Sequence, residues 1–216
     1  EEGSALKTEE SPLKGQDPYS SSKVGAEHVV FGYRGLFDSA GIVVSVVRGG
    51  NIFGGGDWGR DRIVPDLFRA SLSSQPLELR KPEATRPWQH VLDLVYSYVL
   101  IGQFILSERS ETVNTEFNIG PDPEDEFSVL DLIQRFKIHG VSAEIKSAST
   151  LYHEAERLRI SSRKAQSLLG WAAKLDFEES VSLTANWYSA VCRDGEDPYE
   201  VSNKQIIEFL GRIRRE

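Results

Sequence analysis

This sequence has only one cysteine and no long hydrophobic run. Its single cysteine, Cys192, excludes an intrachain disulfide and a zinc site built from several cysteines. One unpaired thiol fits a reducing compartment, so we expect a cytoplasmic protein. No apolar run approaches the ~20 residues that span a bilayer, and no signal peptide is visible, so we expect no membrane partner.

Positive charge is also scarce. Lys and Arg number 25 against 33 Asp and Glu, which gives a formal net charge of −8 and a pI of about 5.2. This balance argues against a nucleic-acid partner, because sequence-independent binding depends on basic surfaces. An anionic ligand would have to be held by locally placed arginines. The 39% hydrophobic and 27% charged residues are typical of a globular protein.

Methionine is absent altogether, and the first residue is Glu1. The opening residues 1–17 are polar and indicate a loop rather than the start of a domain. We therefore expect the sequence to be a fragment that lacks an N-terminal portion.

The order of periodic segments predicts an α/β fold. Residues 19–37 carry apolar side chains at helical spacing, and residues 42–47 form a short β-branched run typical of a buried parallel strand. Residues 49–62, rich in glycine, predict a functional loop. Further helices are predicted at 63–72, 91–107, 127–138, 162–169, 177–193 and 202–214, and strands at 77–79, 116–119 and 143–146. Residues 80–89 and 120–126 are predicted loops, and the late helices are predicted to bury Leu132, Leu168, Leu169, Trp171, Trp187 and Ile206.

The first helix carries the clearest chemical signal, Tyr19 and Lys23 in the pattern Tyr-x-x-x-Lys. At this spacing the two side chains lie one turn apart on one face. A phenol with a pKa of ~10 is a poor base at neutral pH, but an adjacent ammonium favours its ionised form. The pair is therefore a candidate proton acceptor with its activating cation. The spacing alone is common on helix surfaces, and its place before a buried strand and a glycine-rich loop is what favours a catalytic interpretation.

Several motifs together resemble one family. Asp-Pro-Tyr-Ser-Ser-Ser-Lys at 17–23 and Arg-Gly-Gly-Asn at 48–51 resemble the catalytic helix and substrate-side loop of extended short-chain dehydrogenases/reductases. Gly-Gly-Gly-Asp-Trp at 54–58 and Arg-Pro-Trp-Gln-His at 86–90 are similar to motifs of CDP-glucose 4,6-dehydratases within the NAD-dependent epimerase/dehydratase family. The resemblance extends from about Asp17 to the C-terminus.

The resemblance implies a fold and a reaction. The fold would be the C-terminal part of a Rossmann-like doubly wound parallel sheet plus a smaller α/β substrate-binding domain. The implied domains are 1–62 and 63–216, with 89–120 returning in part to the first. The implied activity is that of a hydro-lyase: Tyr19 takes the proton of the glucose 4-hydroxyl, a hydride passes to NAD, water leaves from carbon six, and the hydride returns there. NAD is regenerated in each cycle.

The resemblance also assigns roles to residues. Tyr19, Lys23 and Arg48 would contact NAD. CDP-glucose or a related nucleotide sugar would be the partner, and Arg86 is the strongest candidate for its diphosphate, because a guanidinium binds phosphate bidentately. The other implied substrate contacts are Asn51, Arg62, Trp88 and His153, whereas His90 is expected to be structural. No metal is expected, and residues 19–37 would join a homodimeric helix bundle.

Parts of the family machinery are not in the sequence. It contains no Gly-x-x-Gly-x-x-Gly turn after a first strand. The upstream Thr or Ser and the acidic residue that serve the elimination are also missing, so we expect these residues alone to bind NAD poorly and not to turn over. Near Arg157 the family has an aromatic residue, so the assignment of cytidine depends on the whole resemblance. Two alternatives stay open: a related nucleotide-sugar epimerase or reductase, and a non-catalytic remnant that binds nucleotide sugar.

Overall fold

A computed structural model of the chain describes residues 5–107, 116–148 and 155–214. These ranges contain both helices and short strands, as the periodicity predicts. The helices are α1 (Pro18–Ser39), α2 (Ile63–Ser73), α3 (Val91–Ser107), α4 (Val129–Ile138), α5 (Arg163–Leu169), α6 (Phe177–Cys192) and α7 (Pro198–Ile213). The strands are β1 (Val46–Gly49), β2 (Asn51–Phe53), β3 (Leu77–Leu79), β4 (Thr85–Arg86), β5 (Trp88–His90), β6 (Glu116–Ile119), β7 (Phe127–Ser128) and β8 (Ile145–Ser147).

The strands pair two by two, and most pairs are parallel. β1 pairs with β6, β2 with β5 and β3 with β8 in parallel, whereas β4 and β7 are antiparallel. Parallel strands joined through helices confirm the predicted α/β class. The pairing of β1 with β6 also brings the chain back, after α3, to the strand that follows α1.

β1 and β2 are consecutive strands separated by a change of partner at Gly50. A Cβ on Gly50 would lie 2.3 Å from the carbonyl oxygen of Pro87, so only glycine allows this close approach. The predicted strand at 42–47 begins later than expected, at Val46. Ile42 instead donates its N–H to the carbonyl of Phe37 and extends the end of α1 (2.8 Å). The predicted loops at 49–62 and 80–89 were wrong in part, because they contain β2, β4 and β5.

Two clusters of buried side chains form the core. The larger one packs α2, α4 and α6 around β2, β3 and β5, and the smaller one packs α3 and α5 against β6. Leu132, Trp171 and Trp187 are buried as predicted. The prediction was wrong for Leu168 and Ile206, which are 49% and 43% exposed. No helix within the described ranges is long and apolar enough to cross a membrane.

Asp93 joins α3 to the segment that precedes α6. The residue is 1% exposed, and its carboxylate accepts hydrogen bonds from the backbone N–H groups of Lys174 (2.7 Å) and Leu175 (3.3 Å). The indole N–H of Trp171 donates to the Asp93 carbonyl (3.2 Å). Burial raises the pKa of Asp93 to about 6, and the two backbone hydrogen bonds offset only part of that effect.

We predict that Asp93→Asn becomes more stable relative to the wild type as pH rises. The folded-state pKa of about 6 exceeds the ordinary 3.8, so the folded state binds this proton more tightly. The protonated Asp93 therefore stabilises the folded wild type fully below pH 3.8, and this stabilisation is lost as pH rises through 6. The Asn side chain does not titrate, so the variant loses nothing over the same range. From pH 4 to 7 the difference in unfolding free energy should change by about 2–3 kcal/mol in favour of the variant. Urea denaturation at both pH values measures it, and a pH-independent difference would contradict the assignment.

Candidate functional site

The first turn of α1 presents Tyr19 and Lys23. The Asp17 carboxylate caps this turn by accepting hydrogen bonds from the backbone N–H groups of Tyr19 (2.8 Å) and Ser20 (3.1 Å). Lys23 Nζ lies 5.5 Å from the centre of the Tyr19 ring, and Tyr19 is 71% exposed. The two side chains are therefore neighbours, and the phenol is open to a ligand.

Two turns along the same side of α1, Glu27 binds Arg48 of β1. Arg48 Nε donates to both carboxylate oxygens at 3.0 Å, Nη2 donates to Oε2 at 2.7 Å, and Nη1 donates to the carbonyl of Glu9 at 3.0 Å. The two side chains are only 18% and 15% exposed. The sequence interpretation placed Arg48 at the cofactor, but the structure uses its guanidinium to fasten α1 to the sheet.

The glycine-rich loop 54–62 lies against α6. A Cβ on Gly55 would be 2.1 Å from the Trp187 ring, so this loop can approach the helix only without a side chain. The Tyr188 hydroxyl donates to the backbone carbonyl of Asp57. The Asp57 carboxylate in turn accepts from the Gly59 N–H (2.9 Å) and from Arg62 Nη1 (2.9 Å). Arg62, a predicted substrate contact, is thus held by a carboxylate of its own loop.

Arg62 and Tyr19 are electrostatic neighbours. The pKa of the Arg62 guanidinium is raised first by its hydrogen bond to Asp57 and by the charge of Asp57. A smaller contribution comes from the negative charge that Tyr19 carries when it is ionised.

Asn51 and Arg86 are brought together by the start of the β2–β5 pair. The Asn51 N–H donates to the carbonyl of Pro87 (2.8 Å), directly after Arg86. Arg86 donates to its neighbour's carbonyl, that of Thr85 (2.9 Å), and lines a small cleft. The other lining residues are Thr85, Pro87, Pro121, Asp122, Pro123, Asp125, Glu126, Leu158, Arg159 and Ile160. Neither Tyr19 nor Asn51 lines this cleft, so the convergence of the phenol and Arg86 on one ligand stays a prediction.

The remaining predicted residues differ in accessibility. Trp88 is 7% exposed, and its indole N–H donates to the carbonyl of Phe127 (2.9 Å), so it belongs to the core and offers no face for stacking. His153 lies outside the described residues. His90 is 1% exposed, its Nδ1 accepts from the Leu92 N–H (3.2 Å), and burial lowers its pKa to about 4. Such a histidine is neutral at pH 7 and packs beside Phe53, in agreement with the expected structural role.

Sequence reasoning missed the carboxylates that position the arginines. Arg157 and Arg159 both bind Glu126, and Arg159 also binds Glu124 (2.8 Å), so the acidic loop 120–126 is tied to the segment that follows residue 154. Glu27 and Asp57 were missed in the same way. The available signal was the helical spacing of Tyr19, Lys23 and Glu27, and the placement of Asp57 five residues before Arg62. The described residues contain no cluster of three side chains suited to bind a metal.

Comparison with solved structures identifies the fold class. UDP-glucuronic acid 4-epimerase from Bacillus cereus, solved with UDP-glucuronic acid and NAD, superposes with a TM-score of 0.72 at 20% identity, covering 87% of this chain and 57% of that one. dTDP-glucose 4,6-dehydratase from Bacillus anthracis, solved with NAD, gives 0.70 at 23% identity, covering 86% and 56%. The chain thus has the fold of the C-terminal part of Rossmann-like epimerases and dehydratases.

Sequence comparison then shows the family. The model of the GDP-mannose 4,6 dehydratase family matches residues 2–184, and the chain belongs to that family. CDP-glucose 4,6-dehydratase of Salmonella typhimurium is 32% identical over 215 residues, which cover 96% of this chain and 59% of that protein. UDP-glucuronic acid decarboxylase 1 of Xenopus tropicalis is 27% identical over 180 residues, covering 82% and 40%. The chain therefore spans about three fifths or less of the length of these relatives.

We predict that Glu27→Gln loosens α1. The amide cannot form the charge-assisted pair with Arg48, and a poorly exposed guanidinium is left without its counter-charge. Unfolding free energy should fall by about 1–3 kcal/mol, and amide hydrogen exchange should accelerate within α1. Glu178→Gln is the matched control, because its partner Arg135 and Glu178 itself are 43% and 54% exposed. The control should change stability by no more than about 0.5 kcal/mol. An equal loss of unfolding free energy in the two variants would contradict the claim that the Glu27–Arg48 pair holds α1.

Proposed function

We propose that this chain supplies the substrate-binding and proton-transfer residues of an NAD-dependent nucleotide-sugar 4,6-dehydratase whose substrate is CDP-glucose. The observation that carries the proposal is Lys23 Nζ at 5.5 Å from the ring centre of an exposed Tyr19, in a chain of this family. The substrate is inferred from the match to the Salmonella typhimurium CDP-glucose 4,6-dehydratase along 96% of the chain.

Tyr19 would act as the base in the first step. Its oxygen would accept the proton of the sugar 4-hydroxyl, with the Lys23 ammonium as the neighbouring cation. NAD, when bound, supplies the acceptor and later the donor of a hydride. Tyr19 and Lys23 offer a hydroxyl and an ammonium to hold it, whereas Arg48 is occupied by Glu27 and Glu9 and is left out of the proposal.

The diphosphate would be bound by the arginines near the site. Arg86 lines the cleft together with Arg159, and Asn51 is fixed beside it through the Pro87 carbonyl. Arg62, held by Asp57, is the second cation. Two cations suit a ligand with two phosphates in a chain whose net charge is −8.

Incubation of the full-length gene product with CDP-glucose and NAD tests the reaction. We expect a CDP-4-keto-6-deoxyglucose product, which mass spectrometry detects as the loss of one water. Tyr19→Phe should abolish turnover and change the Kd for CDP-glucose by less than about twofold, because the ring stays and only the proton acceptor is lost. An epimer of CDP-glucose as the product would favour the epimerase alternative. Binding without any product would favour the non-catalytic one, and full activity of Tyr19→Phe would remove Tyr19 from the mechanism.

We also propose that the protein is a homodimer through α1 and α3. No side chain of α1 is buried, and Val29, Tyr33 and Leu36 form an apolar stripe that is 59%, 51% and 67% exposed. α3 exposes a second stripe of Val95, Tyr98 and Val99. Exposed apolar stripes on two helices favour packing against the helices of a second copy.

Leu36→Asp tests the dimer. A charge at Leu36, the most exposed residue of the α1 stripe, should raise the dimer dissociation constant at least tenfold in sedimentation velocity of the full-length gene product. Ile207→Asp on α7, at a site that is 61% exposed, is the matched control and should leave the assembly unchanged. A wild-type monomer, or equal effects of the two variants, would contradict this interface.

A further inference from the structure

Asp57, in the loop 54–62, has a carboxylate that contacts only groups of that loop. These contacts shape the loop and hold Arg62. Asp57 Oδ1 accepts the Gly59 N–H at 2.9 Å, and Oδ2 accepts Arg62 Nη1 at 2.9 Å. Burial raises the pKa of Asp57, but the hydrogen bonds from Gly59 and Arg62 and the charges of Arg62 and Arg69 outweigh it, so the pKa lies below its usual range. The group is therefore a carboxylate at neutral pH, and both of its oxygens are used.

The backbone around Asp57 is fixed from two sides. The Tyr188 hydroxyl donates to the Asp57 carbonyl from α6, and Arg69 of α2 donates to the carbonyls of Trp58 (3.0 Å) and Gly59 (2.9 Å). Gly55 lies against the Trp187 ring. A carboxylate mounted on such a loop can hold its partner in one place.

The Arg62 side chain lies across this loop. A Cβ on Gly59 would be 3.0 Å from both Cδ and Nε of Arg62, so the arginine stem passes directly over the glycine. Although the Arg62 side chain is 66% exposed, it is thus held at its stem by Gly59 and at Nη1 by Asp57. The ion pair uses one of five guanidinium N–H groups, and the others stay available to a ligand.

We propose that Asp57 is a positioning residue that holds Arg62 in place for the diphosphate of the nucleotide sugar. This inference rests on the proposed function. A long exposed side chain normally loses rotamer freedom when a ligand binds, which weakens binding. Asp57 already restricts the Arg62 side chain in the free protein, so less freedom is lost when the ligand binds. Asp57 itself has no need to touch the substrate.

A double-mutant cycle tests the inference in the full-length gene product, with CDP-glucose titrated by calorimetry. Asp57→Asn keeps an oxygen acceptor for the Gly59 N–H but lacks the charge that holds Arg62. We expect this variant to weaken binding about threefold to tenfold, in the range for one immobilised side chain. Arg62→Gln should weaken binding about tenfold or more. The double variant should bind no more weakly than Arg62→Gln alone, because Asp57 then has nothing to position.

The outcomes separate the inference from the function. Independent effects that multiply in the double variant would make Asp57 a merely structural residue, and unchanged or tighter binding by Asp57→Asn would overturn the proposal outright. Arg86→Ala is measured in parallel: if the wild type binds and Arg86→Ala weakens binding, the proposed site stands whatever the cycle shows. No binding by the wild type would overturn both. Should Asp57→Asn fail to fold, Asp57→Ser, whose hydroxyl can accept the same Gly59 N–H, takes its place in the cycle.

Discussion

The ion pair between Glu27 and Arg48 is the contact on which the arrangement of the site depends. No side chain of α1 is fully buried, and its half-buried face carries Glu27 and Arg34 among apolar side chains such as Phe31, so ion pairs contribute to how the helix is rotated about its axis. Glu27 lies two turns after Tyr19 on the same side, and the poorly exposed guanidinium of Arg48 holds it from β1. A second pair, Arg34 with Glu116 (2.6 Å), ties the other end of the helix to β6. Two ion pairs thus define which face carries Tyr19 and Lys23.

The loop 54–62 is held in place by residues that lie far from it in the sequence. Trp187 and Tyr188 of α6 lie more than a hundred residues after the loop, yet they define how closely it packs and where Asp57 is held. Tyr188 also stacks on Phe68 of α2, with ring centres 3.9 Å apart. The loop is therefore an extension of the larger core, and Arg62 at its end is positioned by that core.

The sequence predicted those features that depend on local pattern. The helix with its Tyr-x-x-x-Lys pair, the glycine-rich loop and the α/β class follow from spacing and composition, and the structure agrees with each. Strands β2, β4 and β5 were missed because they have two or three residues each and gain their stability from partners distant in the chain. The roles of Glu27 and Asp57 were missed because an isolated acidic residue in a polar segment carries no mark of its partner. Trp88 was taken for a ligand contact because tryptophan serves both binding and packing, and only the burial of its ring distinguishes the two.

This acidic chain places several of its arginines against local carboxylates. Arg48 binds Glu27, Arg62 binds Asp57, and Arg157 and Arg159 share Glu126. The burial of each pair distinguishes its purpose. The Arg48–Glu27 pair is shielded, and each of the three guanidinium nitrogens donates a hydrogen bond, to Glu27 or to the Glu9 carbonyl, which suits a permanent joint. In the Arg62–Asp57 pair the carboxylate takes only one N–H of an exposed guanidinium, which leaves a held cation that can still accept a phosphate. The degree to which a carboxylate occupies its arginine thus distinguishes a cation that serves the fold from one that can serve a ligand.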